Sequence, residues 1–122
     1  MYGIGVDIVS IDRIAESIKR ESFLHKVYGK QEIKAFANTE KIKTNSLAAN
    51  FAAKEAFSKA LGTGVRGFDF NEVQVLRDDL GTPYFEFSGR VKEIVTGKKL
   101  CCKVSLSHEK DKAIAFVVIE QL

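Results

Sequence analysis

Phe51-Ala52-Ala53-Lys54-Glu55-Ala56-Phe57-Ser58-Lys59-Ala60 lies in the middle of a stretch, residues 45–61, that decides how the chain is built. Alanines at 48, 49, 52, 53, 56 and 60 make it the strongest helix of the sequence, alanine being the best helix former. Gly62-Thr63-Gly64 ends it. Projected at about 100° per residue, Leu47, Phe51, Phe57 and Leu61 form one apolar arc. Lys54 falls inside that arc, Ser58 beside it, and Glu55 at its edge with Lys59 one turn on. Glu55 and Lys59 at i, i+4 can be read as an ordinary surface ion pair. Lys54 resists that reading, because an ammonium on a buried stripe costs free energy unless it is paired or reaches a wet cavity.

Outward from this helix, Gly3-Ile4-Gly5-Val6-Asp7-Ile8 alternates. Tyr2, Ile4, Val6 and Ile8 give a strand an apolar face, and Gly3, Gly5 and Asp7 a stripped one. Such glycines leave room for a ligand or another backbone. Asp7 is either an edge-strand carboxylate capping the next helix or a functional group on a bare face. Ser10 or Asp12 can cap a helix on which Ile11, Ile14 and Ile18 line one side and Arg13, Ser17 and Arg20 the other. Helical segments follow at 23–28 and 30–37, broken by Gly29 and Asn38. Beyond the long helix, Val73 and Val75 start a strand, Asp78-Asp79-Leu80-Gly81 turns it, and residues 84–87 return. Ser88 can cap a short helix carrying Val91, Ile94 and Val95, stopped by Gly97. Residues 100–107 alternate, with Leu100, Cys102, Val104 and Leu106 on one side. Ser105 and Ser107 share the polar parity, and His108 begins a turn. Residues 113–119 are apolar on both faces, as a central strand would be. The order is β, three or four helices, ββ, α, ββ, an α+β chain in one domain over residues 1–122.

Composition narrows the classes. The 122 residues are 29% charged and 45% hydrophobic, with 19 basic and 16 acidic side chains for a net charge of +3. This is an ordinary globular balance, too mildly basic to demand nucleic acid yet compatible with an acidic partner. The longest apolar run, 113–119, is far short of the about 20 residues a membrane helix needs, so no membrane association is expected. The N-terminus lacks the basic and apolar regions of a signal peptide. Cys101 and Cys102 are adjacent and point to opposite faces of a strand, which suits neither a disulfide nor a metal site. A reduced, cytoplasmic protein is expected. Residues 90–103 carry five basic side chains and one acidic, read as a solvated surface. Gly62-Thr63-Gly64-Val65-Arg66-Gly67 follows a helix rather than a strand and lacks the Lys-Ser/Thr ending, so it is no phosphate loop, although it can pass near a ligand. A magnesium ion, which uses one or two carboxylates plus substrate phosphates, could take Asp7 and Glu55 if the first strand lies beside the alanine-rich helix.

Together these segments resemble the holo-acyl-carrier-protein synthase family, the short bacterial type of 4′-phosphopantetheinyl transferase. The resemblance rests on Gly3-Ile4-Gly5-Val6-Asp7-Ile8, Ile11-Asp12-Arg13-Ile14, Phe51 to Ala60 with Gly62-Thr63-Gly64, and Ser105-Leu106-Ser107-His108. It implies transfer of 4′-phosphopantetheine from coenzyme A to a serine of apo acyl carrier protein, releasing adenosine 3′,5′-bisphosphate. By the same resemblance, Asp7 and Glu55 hold magnesium, and Lys59 lies near the coenzyme A phosphates. Gly62, Thr63, Gly64, Pro83, Ser105, Ser107 and His108 belong with Lys59 to the coenzyme A site. Glu55, Lys59 and Asp7 are the catalytic candidates, the serine's proton going to Glu55, Asp7 or a metal-bound water. The resemblance also implies a homotrimer with active sites between protomers. Because acyl carrier proteins are acidic, Arg13 and Arg20 are expected to dock the carrier. Thr82 before Pro83 and Glu109 after His108 depart from the family pattern and bear on nucleotide contact. The competing readings are a magnesium-dependent pyrophosphate hydrolase and a non-catalytic anion-binding module.

Overall fold

The computed structural model describes residues 1–38, 40–62 and 67–122. Strand β1 (Gly3–Ser10) leads into three short helices, α1 (Ile11–Ser17), α2 (Glu21–Val27) and α3 (Lys30–Phe36). A two-residue pair, β2 (Ala37–Asn38) and β3 (Lys41–Ile42), precedes the 18-residue α4 (Thr44–Leu61). A 3₁₀ turn (Phe70–Glu72), β4 (Val73–Arg77), β5 (Pro83–Phe87), α5 (Gly89–Gly97), β6 (Leu100–Glu109) and β7 (Lys112–Gln121) complete the chain. The expected α+β order holds; the pair β2–β3, too short to leave an alternation, was not legible.

The main sheet runs β1-β7-β6, all antiparallel, with β7 central as expected. Its inner face carries Gly3, Gly5 and Asp7 of β1, paired with Ile119, Val117 and Ala115 of β7. Helix α4 lies directly on the glycines. A β-carbon on Gly5 would stand 2.0 Å from the Ala56 carbonyl oxygen, and one on Gly3 2.0 Å from that of Ala60. Of the two uses that bare glycines allow, close approach of another backbone is the one realised. The outer face is the apolar one, and it is open: Ile4, Val6 and Ile8 are 56%, 50% and 59% exposed, with Ile114 and Phe116 beside them also exposed. The expectation that β7 is covered on both faces is therefore corrected within one protomer.

Helix α4 is buried nearly all round, which is why its apolar residues serve two clusters instead of a single arc. Phe57 and Leu61 join Val73, Val75, Val91 and Val117, while Leu47 packs with Ile11, Ile14, Tyr28 and Phe36. Each fully buried aliphatic or aromatic side chain contributes roughly 1.5–3 kcal/mol. Gly62 ends the helix at φ 99°, a conformation that glycine adopts without strain.

Local details adjust the sequence reading. Ser10 Oγ accepts from the Arg13 amide at 3.3 Å and caps α1. Ile11 and Ile14 are buried beneath that helix. Arg20 lies past its end, at the N-cap of α2, so it is not on the helix face that carries Arg13. Ser88 stands at the N-cap of α5 without a side-chain bond, and Glu72 Oε1 accepts from the Val91 amide at 3.1 Å instead. His108 does not begin the turn but continues β6, paired with Ala113. Among the described residues, no helix is long and apolar enough to cross a membrane.

Candidate active site

The glycine face of β1 places Asp7 against α4 at the level of Glu55. Burial lifts the proton affinity of the Glu55 carboxyl above its ordinary value, and the Asp7 charge lifts it further, while Lys59 pulls it down. Neighbouring carboxylates of like charge favour a cation beside them. Lys59 Nζ donates to Asp7 Oδ1 at 3.1 Å and to the Val6 carbonyl at 3.0 Å. Its partner is therefore Asp7, not Glu55, which corrects the surface-pair reading. The pair is asymmetric, the Asp7 side chain being 19% exposed and that of Lys59 55%. Lys59, Gly5 and Phe116 border a depression of about 330 Å³ along the β1 edge.

The donor set suits magnesium. The carboxylates supply hard oxygen ligands, and the Lys59 ammonium already stands where positive charge is favoured. Among the described residues no group of three or more His, Cys, Asp and Glu side chains comes together. Two carboxylates completed by substrate phosphates match what this ion takes, whereas a site built wholly from protein ligands does not.

The remaining candidates lie elsewhere. Gly62 follows Lys59 by less than a turn, at the exposed end of α4. Thr63 and Gly64 lie outside the described residues. Ser105 and Ser107 pair with Phe116 and Ile114 on the outer face, and both are exposed. His108 has the opposite parity, at the end of the inner face. Pro83, Ser107 and His108 border a polar depression of about 230 Å³, together with Asn45, Ser46 and Arg77. Sequence reasoning missed these last three. Arg77 looks like an unremarkable strand end, and Asn45 and Ser46 like simple first-turn residues. Asp7 thus stands on one edge strand, β1, with Glu55 and Lys59 of α4 beside it, and Ser107 and His108 stand on the other edge strand, β6, with Pro83 of the β4–β5 hairpin next to them and β7 between the two edges. Two interstrand steps are roughly 10 Å, and the sheet itself stands between Asp7 and the two serines.

Lys54, the residue that resisted a surface reading, is wholly buried and paired. Its Nζ donates to Glu32 Oε1 at 2.7 Å and to the carbonyls of Phe70 at 2.9 Å and Val73 at 2.5 Å. Burial pulls its proton affinity down and Glu32 pulls it back up. Three acceptors around one nitrogen require three N–H groups, hence the ammonium form.

The family model of the 4′-phosphopantetheinyl transferase superfamily matches residues 3–117. The chain belongs to that superfamily. A holo-[acyl-carrier-protein] synthase of Clostridium acetobutylicum is 43% identical over 97% of this chain and 96% of that protein. The crystal structure of the corresponding synthase of Neisseria meningitidis superposes with a TM-score of 0.87 at 38% identity, covering 99% of both chains. That of Helicobacter pylori, in complex with coenzyme A, gives 0.79 at 33% identity, covering 96% of this chain and 99% of that one. As a member of this transferase superfamily the chain is an enzyme, and its single domain has the fold of these synthases.

Proposed function

We propose that this transferase moves 4′-phosphopantetheine from coenzyme A to a serine hydroxyl of apo acyl carrier protein. The observation that carries the reading is the juxtaposition of Asp7, Glu55 and Lys59 by the contact of β1 with α4, in a chain similar over its full length to synthases of that name. The serine oxygen bonds to the β-phosphorus of coenzyme A, and the bridging P–O bond breaks. The serine proton passes to a base, and adenosine 3′,5′-bisphosphate leaves with the electron pair. Such a transfer needs positioning and charge neutralisation more than covalent help.

Asp7 and Glu55 would hold the magnesium ion, which when bound offsets the charge of the pyrophosphate. Lys59, free to swing from Asp7 because its side chain is mostly exposed, neutralises charge on the leaving phosphate. The serine proton would pass to Glu55, to Asp7 or to a water held beside them. Pro83, Ser107 and His108, with Arg77, line the depression suited to the nucleotide end.

Because Asp7 stands on one edge strand of the main sheet and Ser107 and His108 on the other, we read the complete site as shared with a second copy of the chain. The open apolar face of Ile4, Val6, Ile8, Ile114 and Phe116 is the surface on which protomers would meet. The exposed face supports self-association, and the homotrimer with sites between protomers is what the family resemblance adds. The free, adjacent Cys101 and Cys102 suit a reducing cytoplasm. Mixing the protein with coenzyme A, magnesium and an apo carrier tests the reading. A carrier heavier by one phosphopantetheine is the expected result. Release of adenosine 3′,5′-bisphosphate with an unmodified carrier would instead show a hydrolase.

A further inference from the structure

Lys54 and Glu55 are consecutive, yet their side chains have different tasks. At about 100° per residue, Glu55 lies a quarter turn or so from Lys54, and Ala56 lies roughly opposite it. Helix α4 is therefore gripped from two sides. On one, the carbonyls of Ala56 and Ala60 abut Gly5 and Gly3. On the other, the buried Lys54 ammonium ties the helix to α3 through Glu32, and to the chain entering β4 through Phe70 and Val73.

The second grip is built of several bonds. The Glu32 carboxylate also accepts from the Gly29 amide at 2.9 Å, the Val75 amide at 3.2 Å and Asn50 Nδ2 at 2.9 Å. Asn50 stands one turn before Lys54 on α4 and also donates to the Val75 carbonyl at 2.9 Å. Among the described residues, no buried side-chain nitrogen or oxygen lacks a partner. A polar network satisfied to that degree holds one arrangement, because any slip strands a donor or acceptor in the interior. Glu55 lies between the two grips, near enough to Asp7 for that charge to raise its proton affinity. The like charges of Asp7 and Glu55 push each other apart, and the helix turn that carries Glu55 has to resist that force.

We infer that Lys54 is a positioning residue for the transfer: its buried ammonium fixes the rotation of α4 at the turn carrying Glu55 and so keeps that carboxylate beside Asp7. The inference rests on the proposed transferase reading for its consequence, and on the hydrogen bonds alone for its geometry. Lys54 touches no substrate. Its effect reaches the reaction through Glu55, where a displacement of about 1 Å can cost about 100-fold in rate.

The test compares Lys54→Met with Val91→Ala, a cavity-forming change in a fully buried residue of α5 that shares the core of α4 but takes no part in the Lys54–Glu32 network. Both lower stability. Per folded molecule, Lys54→Met is expected to lower kcat about 100-fold while the KM for coenzyme A stays within about twofold. Val91→Ala should leave both unchanged. Amide hydrogen exchange, which needs no activity, should quicken in the 52–57 segment of α4 for Lys54→Met and in α5 for Val91→Ala. A folded Lys54→Met with the parent kcat, or a kcat loss equal to that of Val91→Ala at matched stability, overturns the inference. If Lys54→Met does not fold, Glu32→Gln decides. It keeps the side-chain volume but removes the counter-charge and one of the two acceptor oxygens shared by Lys54, Gly29, Asn50 and Val75, so a roughly tenfold lower kcat is expected and the parent kcat overturns the inference. If the parent chain transfers nothing to the carrier, the transferase reading fails, and the exchange pattern still decides whether Lys54 holds the turn.

Discussion

The two faces of the main sheet are made from the same three strands and face opposite demands. Where the backbone of α4 presses on it, the inner face is cut down to Gly3 and Gly5 of β1 and Ala113 and Ala115 of β7, while Val117 and Ile119 fill the core beside the helix. The outer face carries Ile4, Val6, Ile8, Ile114 and Phe116, bulky and open. Along β1, the glycines mark where the chain's own helix lies, and Ile4, Val6 and Ile8 mark the face that has no cover of its own. Asp7 belongs to the inner face yet does not support packing, which is how a carboxylate comes to face Glu55 at the rim of a close-packed contact.

The sharpest break of this contrast is Gly5→Leu. With the Ala56 carbonyl 2.0 Å from where a β-carbon would sit, the side chain cannot enter without moving α4 off the sheet. A loss of about 3 kcal/mol or more is expected, a large part of a typical domain's stability. Urea unfolding followed by circular dichroism reads it, and a near-parent midpoint would refute direct backbone packing. Ile4→Ala on the outer face should be far milder for the isolated protomer.

Asp7→Ala and Glu55→Ala come next, and they separate function from packing on the inner face. Alanine fits beside Gly5 and Ala115, so far-ultraviolet circular dichroism should stay native. Carrier modification should fall by about 1,000-fold or more, as expected when a group central to positioning and charge is removed. Substantial transfer by either variant at saturating magnesium would remove that carboxylate from the metal site. Phe116→Asp attacks the other face. It pairs with Val6 at the middle of the exposed apolar patch, and a carboxylate there should prevent protomers from meeting. Sedimentation should show a smaller species, and transfer should fall with it. The parent's thermal midpoint should rise with protein concentration, and a concentration-independent midpoint would argue against coupled assembly and folding. Lys59→Ala should be weaker, roughly 100-fold in single-turnover rate, with coenzyme A affinity changed much less. An affinity loss alone would mean that Lys59 only holds the ground state.

Much of this was legible because it follows from local pattern. Alternation and glycine spacing located β1 and a bare face open to a ligand or another backbone, the alanine run located α4, and Lys54 on the apolar stripe called for either a partner or a wet cavity. That partner, Glu32, was not legible. It lies 22 residues earlier, amid Lys30 and Lys34 on a short helix that reads as solvated. The one hint was the Gly29-to-Glu32 spacing of a helix-capping pair. Arg77, Asn45 and Ser46 escaped notice because their meeting with Pro83 and His108 depends on how the β4–β5 hairpin docks against α4, a tertiary matter that no short window encodes. The outward turn of the apolar parity of β1 escaped for a related reason, since a partner outside the chain leaves the same signature as a core inside it.

The smallest expected effect concerns the carrier. Arg13 is exposed on α1, whose buried Ile11 and Ile14 fix which way it faces, and it follows Asp7 by six residues. Arg20, expected on the same face, sits instead beyond the helix with its guanidinium 5.8 Å from the centre of the Phe23 ring. A cation held over a ring is less free to meet a partner than one projecting into solvent. Arg13→Glu should therefore raise the KM for an acidic carrier roughly tenfold at low salt, and Arg20→Glu should do less, both with coenzyme A affinity unchanged. Added salt should weaken carrier binding to the parent and narrow its lead over Arg13→Glu, because exposed charges are screened within about 10 Å at 0.1 M. Equal effects from the two arginines would mean that the carrier spans both helices. No effect from either would move the docking surface to the exposed basic run of α5 and β6, where Lys92, Lys99 and Lys103 face solvent.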